Sequence, residues 1–182
     1  MIDLAKRTFS RRISWLLLTI VMMVSLGVRA SDFRDEDLKA VYLFRFAFLT
    51  DWKDRQPQNG RYQFCVDGNS VVSRRLQDVV TQKPEQANFR DITQGDDNVL
   101  GCHIVYTTES AAARIAALRT RFPDALIVGE GESFTAAGGM VAFIKVNNRV
   151  KPLVNLKNLL GTSFTLRSQL LSIAVIDVEG NA

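Results

Sequence analysis

The chain has 182 residues, with 23 Lys+Arg against 19 Asp+Glu and 47% hydrophobic residues. Residues 1–30 hold five of the basic residues and one acid, so the 152 residues that remain carry 18 of each sign. That balance argues against a nucleic-acid-binding domain, which needs a basic face; one histidine and two cysteines without close ligand spacing make a poor metal site.

At the amino terminus, Lys6, Arg7, Arg11 and Arg12 precede the apolar run of residues 13–28, and Val28-Arg29-Ala30 forms an A-x-A-like cleavage site before the polar SDFRDED. This order predicts a secretory signal peptide over residues 1–30 and a mature chain from Ser31. The alternative is an uncleaved membrane anchor, because the apolar run approaches the lower limit for spanning a bilayer. Residues 31–182 contain no Pro/Gly/Ser-rich linker, low-complexity tract or internal repeat, and are expected to form one domain.

Asp35, Glu36 and Asp37 favour a helix start, and the following LKAVYLFRFAFLTDW predicts a long helix. Residues 61–66 predict a strand ended by Asp67-Gly68-Asn69. Ser70 is placed to cap a helix through Val80, with Val71, Val72, Leu76, Val79 and Val80 as its apolar stripe. A short strand is expected over 88–92, then a strand over 102–107, a helix over 110–122 and a strand over 125–129. Alternating strands and helices imply parallel strands joined by right-handed crossovers.

The stretch FTAAGGMVAFIKVNNRV departs from that alternation. Gly138 and Gly139 permit a tight backbone approach to a strand over 140–146. Asn147-Asn148 tolerates the positive φ of a two-residue hairpin, and the chain returns over 149–156. Pro152 cannot donate a ladder hydrogen bond, which favours a sheet edge or a local bulge for the return strand. Leu166, Leu170, Ile173 and Ala174 predict one face of a closing helix. The expected fold is α/β: a single-domain sandwich with a mixed, partly parallel sheet and an antiparallel hairpin near the C-terminus.

Candidate chemistry is sparse. Cys65 and Cys102 make an even cysteine count, which in an exported chain favours a disulfide over a span of 37 residues; the alternative is two independent buried thiols. His103 sits among alternating apolar neighbours and is read as structural, although folding can bring Asp91 or Arg149 near it. No G-x-S-x-G elbow occurs. GEGESF at 129–134 lacks the third glycine of a phosphate loop, and Glu130 and Glu132 repel an anion, so a turn is expected. Asp96-Asp97 reads as a solvated turn. No catalytic residue, cofactor or metal is expected.

The first helix is the better functional candidate. Tyr42, Phe44, Phe46, Phe48 and Trp52 give five aromatics in eleven residues, with Phe44, Phe48 and Trp52 on one helical face and Phe46 nearly opposite. A surface helix normally buries one stripe. Either the domain encloses this helix, or its second face joins a homodimer or another partner, where aromatic anchors are favoured.

Taken in order with the export signal, KAVYLFRFAFLTDW, FCVDG, GCHIVY, FTAAGGMVAFIKVNNRVKPLVNL and SQLLSIA resemble the YfiR/HmsC family of exported regulators. The resemblance spans essentially the whole mature chain. It implies a periplasmic protein that is not an enzyme and that represses an inner-membrane diguanylate cyclase through that enzyme's periplasmic region, restraining cyclic-di-GMP synthesis and biofilm formation. It also implies modulation by oxidation state and by an outer-membrane lipoprotein partner. Cys65 and Cys102 match the family's usual cysteine pair, whereas Thr135 and Ala142 stand where some members carry a second pair. A periplasmic small-ligand sensor is the alternative function; it requires a concave pocket with a few convergent polar groups.

Overall fold

The computed structural model describes residues 34–95 and 101–177. The expected signal peptide of residues 1–30, its cleavage site, and Asp96-Asp97 lie outside them. The first element is helix α1 (Asp35–Phe48), with its three acids in the positive first turn and the Asp37 carboxylate accepting the Arg34 backbone N–H at 3.3 Å. Short strand β1 (Thr50–Asp51) follows, then β2 (Tyr62–Asp67). Ser70 caps α2 (Val71–Thr81) by accepting the Ser73 N–H at 3.0 Å, as expected from the sequence.

The chain continues through β3 (Ala87–Asp91), β4 (Ile104–Thr107), α3 (Ala112–Arg121) and β5 (Leu126–Glu130). A short helix α4 (Glu132–Ala136) precedes the hairpin of β6 (Val141–Val146) and β7 (Arg149–Asn155). The tail supplies β8 (Thr165–Leu166), the one-turn helix α5 (Ser168–Leu171) and β9 (Val175–Asp177).

Seven strands form one sheet in the order β3-β2-β4-β5-β6-β7-β9. Neighbours from β3 to β6 are parallel, β6 and β7 are antiparallel, and β7 pairs with β9 in parallel. A separate antiparallel pair joins β1 to β8. The α/β sandwich with a mixed sheet and antiparallel hairpin is the fold expected from the sequence.

Helices cover both faces. Phe44 of α1 stacks on Phe64 of β2 at 5.5 Å, and α2 packs beside α1 on that face. Arg114 of α3 reaches Asp67, which projects to the opposite face because strand side chains alternate. The sequence order β2-α2-β3 runs outward on one side of β2 and β4-α3-β5 runs outward on the other, so right-handed crossovers put α2 and α3 on opposite faces. The core lies on both sides of the central strands, where Ile104, Val105, Leu126, Ile127 and Val128 are buried.

Several local expectations are corrected. Helix α1 stops at Phe48, so Trp52 does not share its face with Phe44 and Phe48. In α2, Val72, Leu76 and Val80 face the core, but Val71 is 43% exposed. GEGESF is a turn only at Gly131, whose φ of 76° lets the chain enter α4. The tail is not one long helix: α5 has a single turn, Ile173 is exposed, and the chain extends into β9.

Nor is β7 an edge strand, because β9 lies beyond it. Phe143 and Pro152 are Cα partners, and the Phe143 carbonyl accepts the Gly131 N–H on the β5 side. The nitrogen of Pro152 therefore points away from β6, towards the β9 side, and β9 pairs only from Leu153 onward. The missing donor falls one residue short of the ladder, which is how a proline is accommodated without a bulge. Asn147 and Asn148 turn the hairpin with φ of 50° and 58°.

Candidate functional site

The aromatic helix divides into buried and half-buried sides. Ala40, Leu43, Phe46 and Ala47 of α1 are fully buried, and Phe46 stacks on Phe143 of β6 at 5.9 Å. Phe44 and Phe48 are half-buried, with Phe48 edge-on to Tyr62 at 4.8 Å. Trp52 is fully buried; its indole N–H donates to the Ala47 carbonyl at 2.7 Å and its ring meets Phe164 at 5.1 Å. It is a core residue and offers no surface, which corrects its grouping with Phe44 and Phe48. The most exposed large apolar side chain among the described residues is instead Leu160, at 77%. Nothing in the sequence singles it out, because no local motif marks a lone exposed leucine.

Cys65 and Cys102 are joined as a disulfide, with Cα atoms 6.0 Å apart. The bond ties the segment before β4 to the centre of β2. His103 follows immediately. Its Nδ1 accepts the Gln63 N–H at 3.1 Å, and its ring stands edge-on to both Trp52 and Tyr62. Burial lowers its pKa, against a smaller opposing hydrogen bond to the Arg55 backbone. The ring is thus a neutral wedge whose acceptor is already used. Among the described residues, its partners are the Gln63 and Arg55 backbone and the Trp52 and Tyr62 rings, with neither Asp91 nor Arg149 among them.

Beside the disulfide lies a cleft of about 580 Å³, bounded by the Lys53–Arg55 turn, the starts of β2 and β3, and residues 101–103. Its polar walls include Arg55, Arg61, Gln63, Asn88 and Arg90. The sequence did not reveal it, because its residues come from five separated segments, Asp124 being the last.

Two polar networks, partly buried, were also hidden by sequence distance. Asp67, nearly fully buried, accepts from the Thr107 hydroxyl at 3.0 Å and from the Arg114 Nε at 2.9 Å, with Arg114 Nη2 on its other oxygen. Glu130 accepts the Tyr106 hydroxyl at 2.8 Å and pairs with Lys39 at 2.5 Å. Burial, reinforced by the Glu130 charge, raises the Tyr106 pKa and keeps the phenol protonated. These groups are mutually satisfied: they fasten α3 and α1 to the strand ends and present no activated nucleophile. Among the described residues, no group of three or more His, Cys, Asp or Glu is placed to hold a metal ion.

The glycine pair has two roles. Gly138 adopts a φ of 105°, and a Cβ built at Gly139 would lie 2.0 Å from the Phe134 ring. The ring also crowds Gly129, where a Cβ would meet it at 2.5 Å. Asn158 donates its side-chain amide to the Thr135 and Gly139 carbonyls at 2.8 and 2.7 Å, and Arg119 donates to the Gly138 carbonyl at 2.7 Å. The motif is a packed corner between α3, α4 and the tail.

Among the described residues, no helix is long and apolar enough to cross a membrane. No curated protein matches the chain. A family model described as YfiR/HmsC-like matches residues 36–175, from the first turn of α1 to the start of β9. The chain therefore belongs to the YfiR/HmsC-like family, which is periplasmic and regulatory rather than catalytic, and its membership suggests a periplasmic regulator of cyclic-di-GMP signalling.

Proposed function

We propose that the protein binds the periplasmic region of an inner-membrane diguanylate cyclase and represses it, restraining cyclic-di-GMP synthesis and biofilm formation. The observation that carries this reading is the family match across residues 36–175, which includes six of the seven strands of the main sheet and the first residue of the seventh. The polar networks support a binding role over a catalytic one, since their acids, bases and tyrosine are consumed in holding helices to strands. Phe44 and Phe48 are proposed as part of the contact with the cyclase or with a second copy of the chain, because both are only half-buried and their rings lie side by side at 5.3 Å. An outer-membrane lipoprotein that competes for this protein would relieve the repression.

Deleting the gene in a strain that expresses the cyclase is expected to raise cellular cyclic-di-GMP and surface attachment. Unchanged cyclic-di-GMP in such a deletion would reject the regulatory reading, and accumulation of an unprocessed substrate would point to catalysis.

A further inference from the structure

The cleft beside the disulfide is a consequence of topology. Helix α2 crosses from β2 to β3 on one face, and α3 lies over β4 and β5 on the other, so among the described residues no α-helix covers the β2–β3 part of the second face. The register pairs Gln63 with Asn88 and Cys65 with Arg90. Side chains alternate along a strand, so Gln63, Asn88 and Arg90 project to the same face as Cys65 and its disulfide. The result is a pocket of small-molecule size, about 580 Å³, with one wall tied covalently to its floor.

Its hydrogen-bonding groups are unequally matched. Each guanidinium carries five N–H donors and no acceptor. Arg55 is engaged by Asp124 at 3.2 Å, and Asp124 also accepts the Ser163 hydroxyl at 2.7 Å. Arg61 and Arg90 are exposed and have no ion pair among the described residues. Asn88 adds an amide between them, on the strand that carries Arg90. The one further lining carboxylate is Asp54, exposed on the turn opposite. Donors therefore exceed acceptors, and positive charge exceeds negative. His103 contributes shape alone, because its Nδ1 is bonded to Gln63 and its ring is held against Trp52 and Tyr62.

We propose that this cleft binds a small organic anion bearing carboxylate or phosphate groups, with Arg61 and Arg90 as its charge partners and Asn88 as a neutral hydrogen-bonding group between them. Guanidinium groups suit both acids, because their planar forks donate two parallel hydrogen bonds. The cleft is separate from the half-buried aromatics of α1, which pack over the opposite face of β2 through Phe64. Anion binding here does not depend on repression of a cyclase, and it is measured on the purified protein alone.

The test is calorimetric titration of the purified exported protein with two probes, citrate for carboxylates and glycerol 3-phosphate for phosphates. One-to-one saturable binding of at least one probe is expected, with the stronger probe identifying the acid. Arg61→Gln and Arg90→Gln should each weaken binding roughly tenfold, the loss of one charge-assisted contact, without changing the melting temperature. Arg149→Gln, at the exposed start of β7 away from the cleft, serves as the control and should leave affinity unchanged. Absence of saturable binding for both probes up to about 10 mM, the weak end of specific affinity, would overturn the proposal. Equal losses in all three variants would also overturn it, by showing attraction to general surface charge.

Discussion

At the scale of single residues, Phe134 explains why glycines stand at both 129 and 139. The ring fills the space that a Cβ would occupy at either position, 2.5 Å away at Gly129 and 2.0 Å at Gly139. Gly139→Ala is therefore expected to destabilise the protein by about 1–3 kcal/mol, the usual cost of overpacking a core. Chemical denaturation measures it. If the clash with Phe134 is the cause, adding Phe134→Leu should recover part of that loss, so that the pair costs less than the sum of the two single changes. His103 supplies a second residue-scale prediction. Its folded pKa is lowered by burial, so the unfolded chain takes up the proton first as pH falls. The stability associated with its neutral form is present above the ordinary histidine pKa of about 6.5 and is lost as pH falls through the lower folded value. His103→Asn keeps an acceptor for the Gln63 N–H but does not titrate. Its stability should fall less steeply than that of the wild type between about pH 7 and pH 5, as read from melting temperatures. Parallel pH profiles for the two proteins would show that the ring carries no such linkage.

At the scale of elements, legibility depended on whether the signal was local. Ser70 announces α2 because a cap bonds within its own turn, and Asn147-Asn148 announces the hairpin because both must accept positive φ. The end of α1 gave no such sign, since LTDW contains neither glycine nor proline. That end is made by side chains: the Thr50 hydroxyl donates to the Phe46 carbonyl at 2.8 Å and the Trp52 indole to the Ala47 carbonyl at 2.7 Å. The tail misled for the opposite reason. Its leucines fit a helical period, but Leu166 pairs with Thr50 in a strand and Val175 with Leu153, partners far away in the chain. The disulfide was readable as a pair from composition and resemblance, and its placement adds a consequence. It closes a span of 37 residues that contains α2, β3 and the connection to β4. Replacing Cys65 and Cys102 together by alanine should lower stability by up to about 4 kcal/mol on the loop-entropy model. Denaturation under non-reducing conditions tests this, and an unchanged midpoint would mean that the bond contributes little to the folded domain.

At the scale of the whole molecule, the sheet order decides which surfaces remain for a partner. The first helix stands out as a candidate contact from its excess of aromatics, but only the fold separates Phe46 and Trp52, which are core, from Phe44 and Phe48, which keep surface. Leu160 emerges as a rival anchor from an unrelated loop, with far greater exposure. The two surfaces are separable by mutation because their structural costs differ. Phe48 contacts Phe44 and Tyr62, so Phe48→Ala should cost less than the roughly 3–5 kcal/mol of a fully buried phenylalanine. Leu160→Asp should stay within about 0.5 kcal/mol of the wild type, as surface changes usually do. Binding of each folded variant to the isolated periplasmic region of the cyclase is then the discriminating measurement. If α1 forms the contact, Phe48→Ala weakens the complex by tenfold or more, roughly the loss expected for an aromatic anchor, while Leu160→Asp binds as the wild type does. The reverse result would move the contact to the Leu160 loop, leaving the half-buried aromatics of α1 as part of the fold alone.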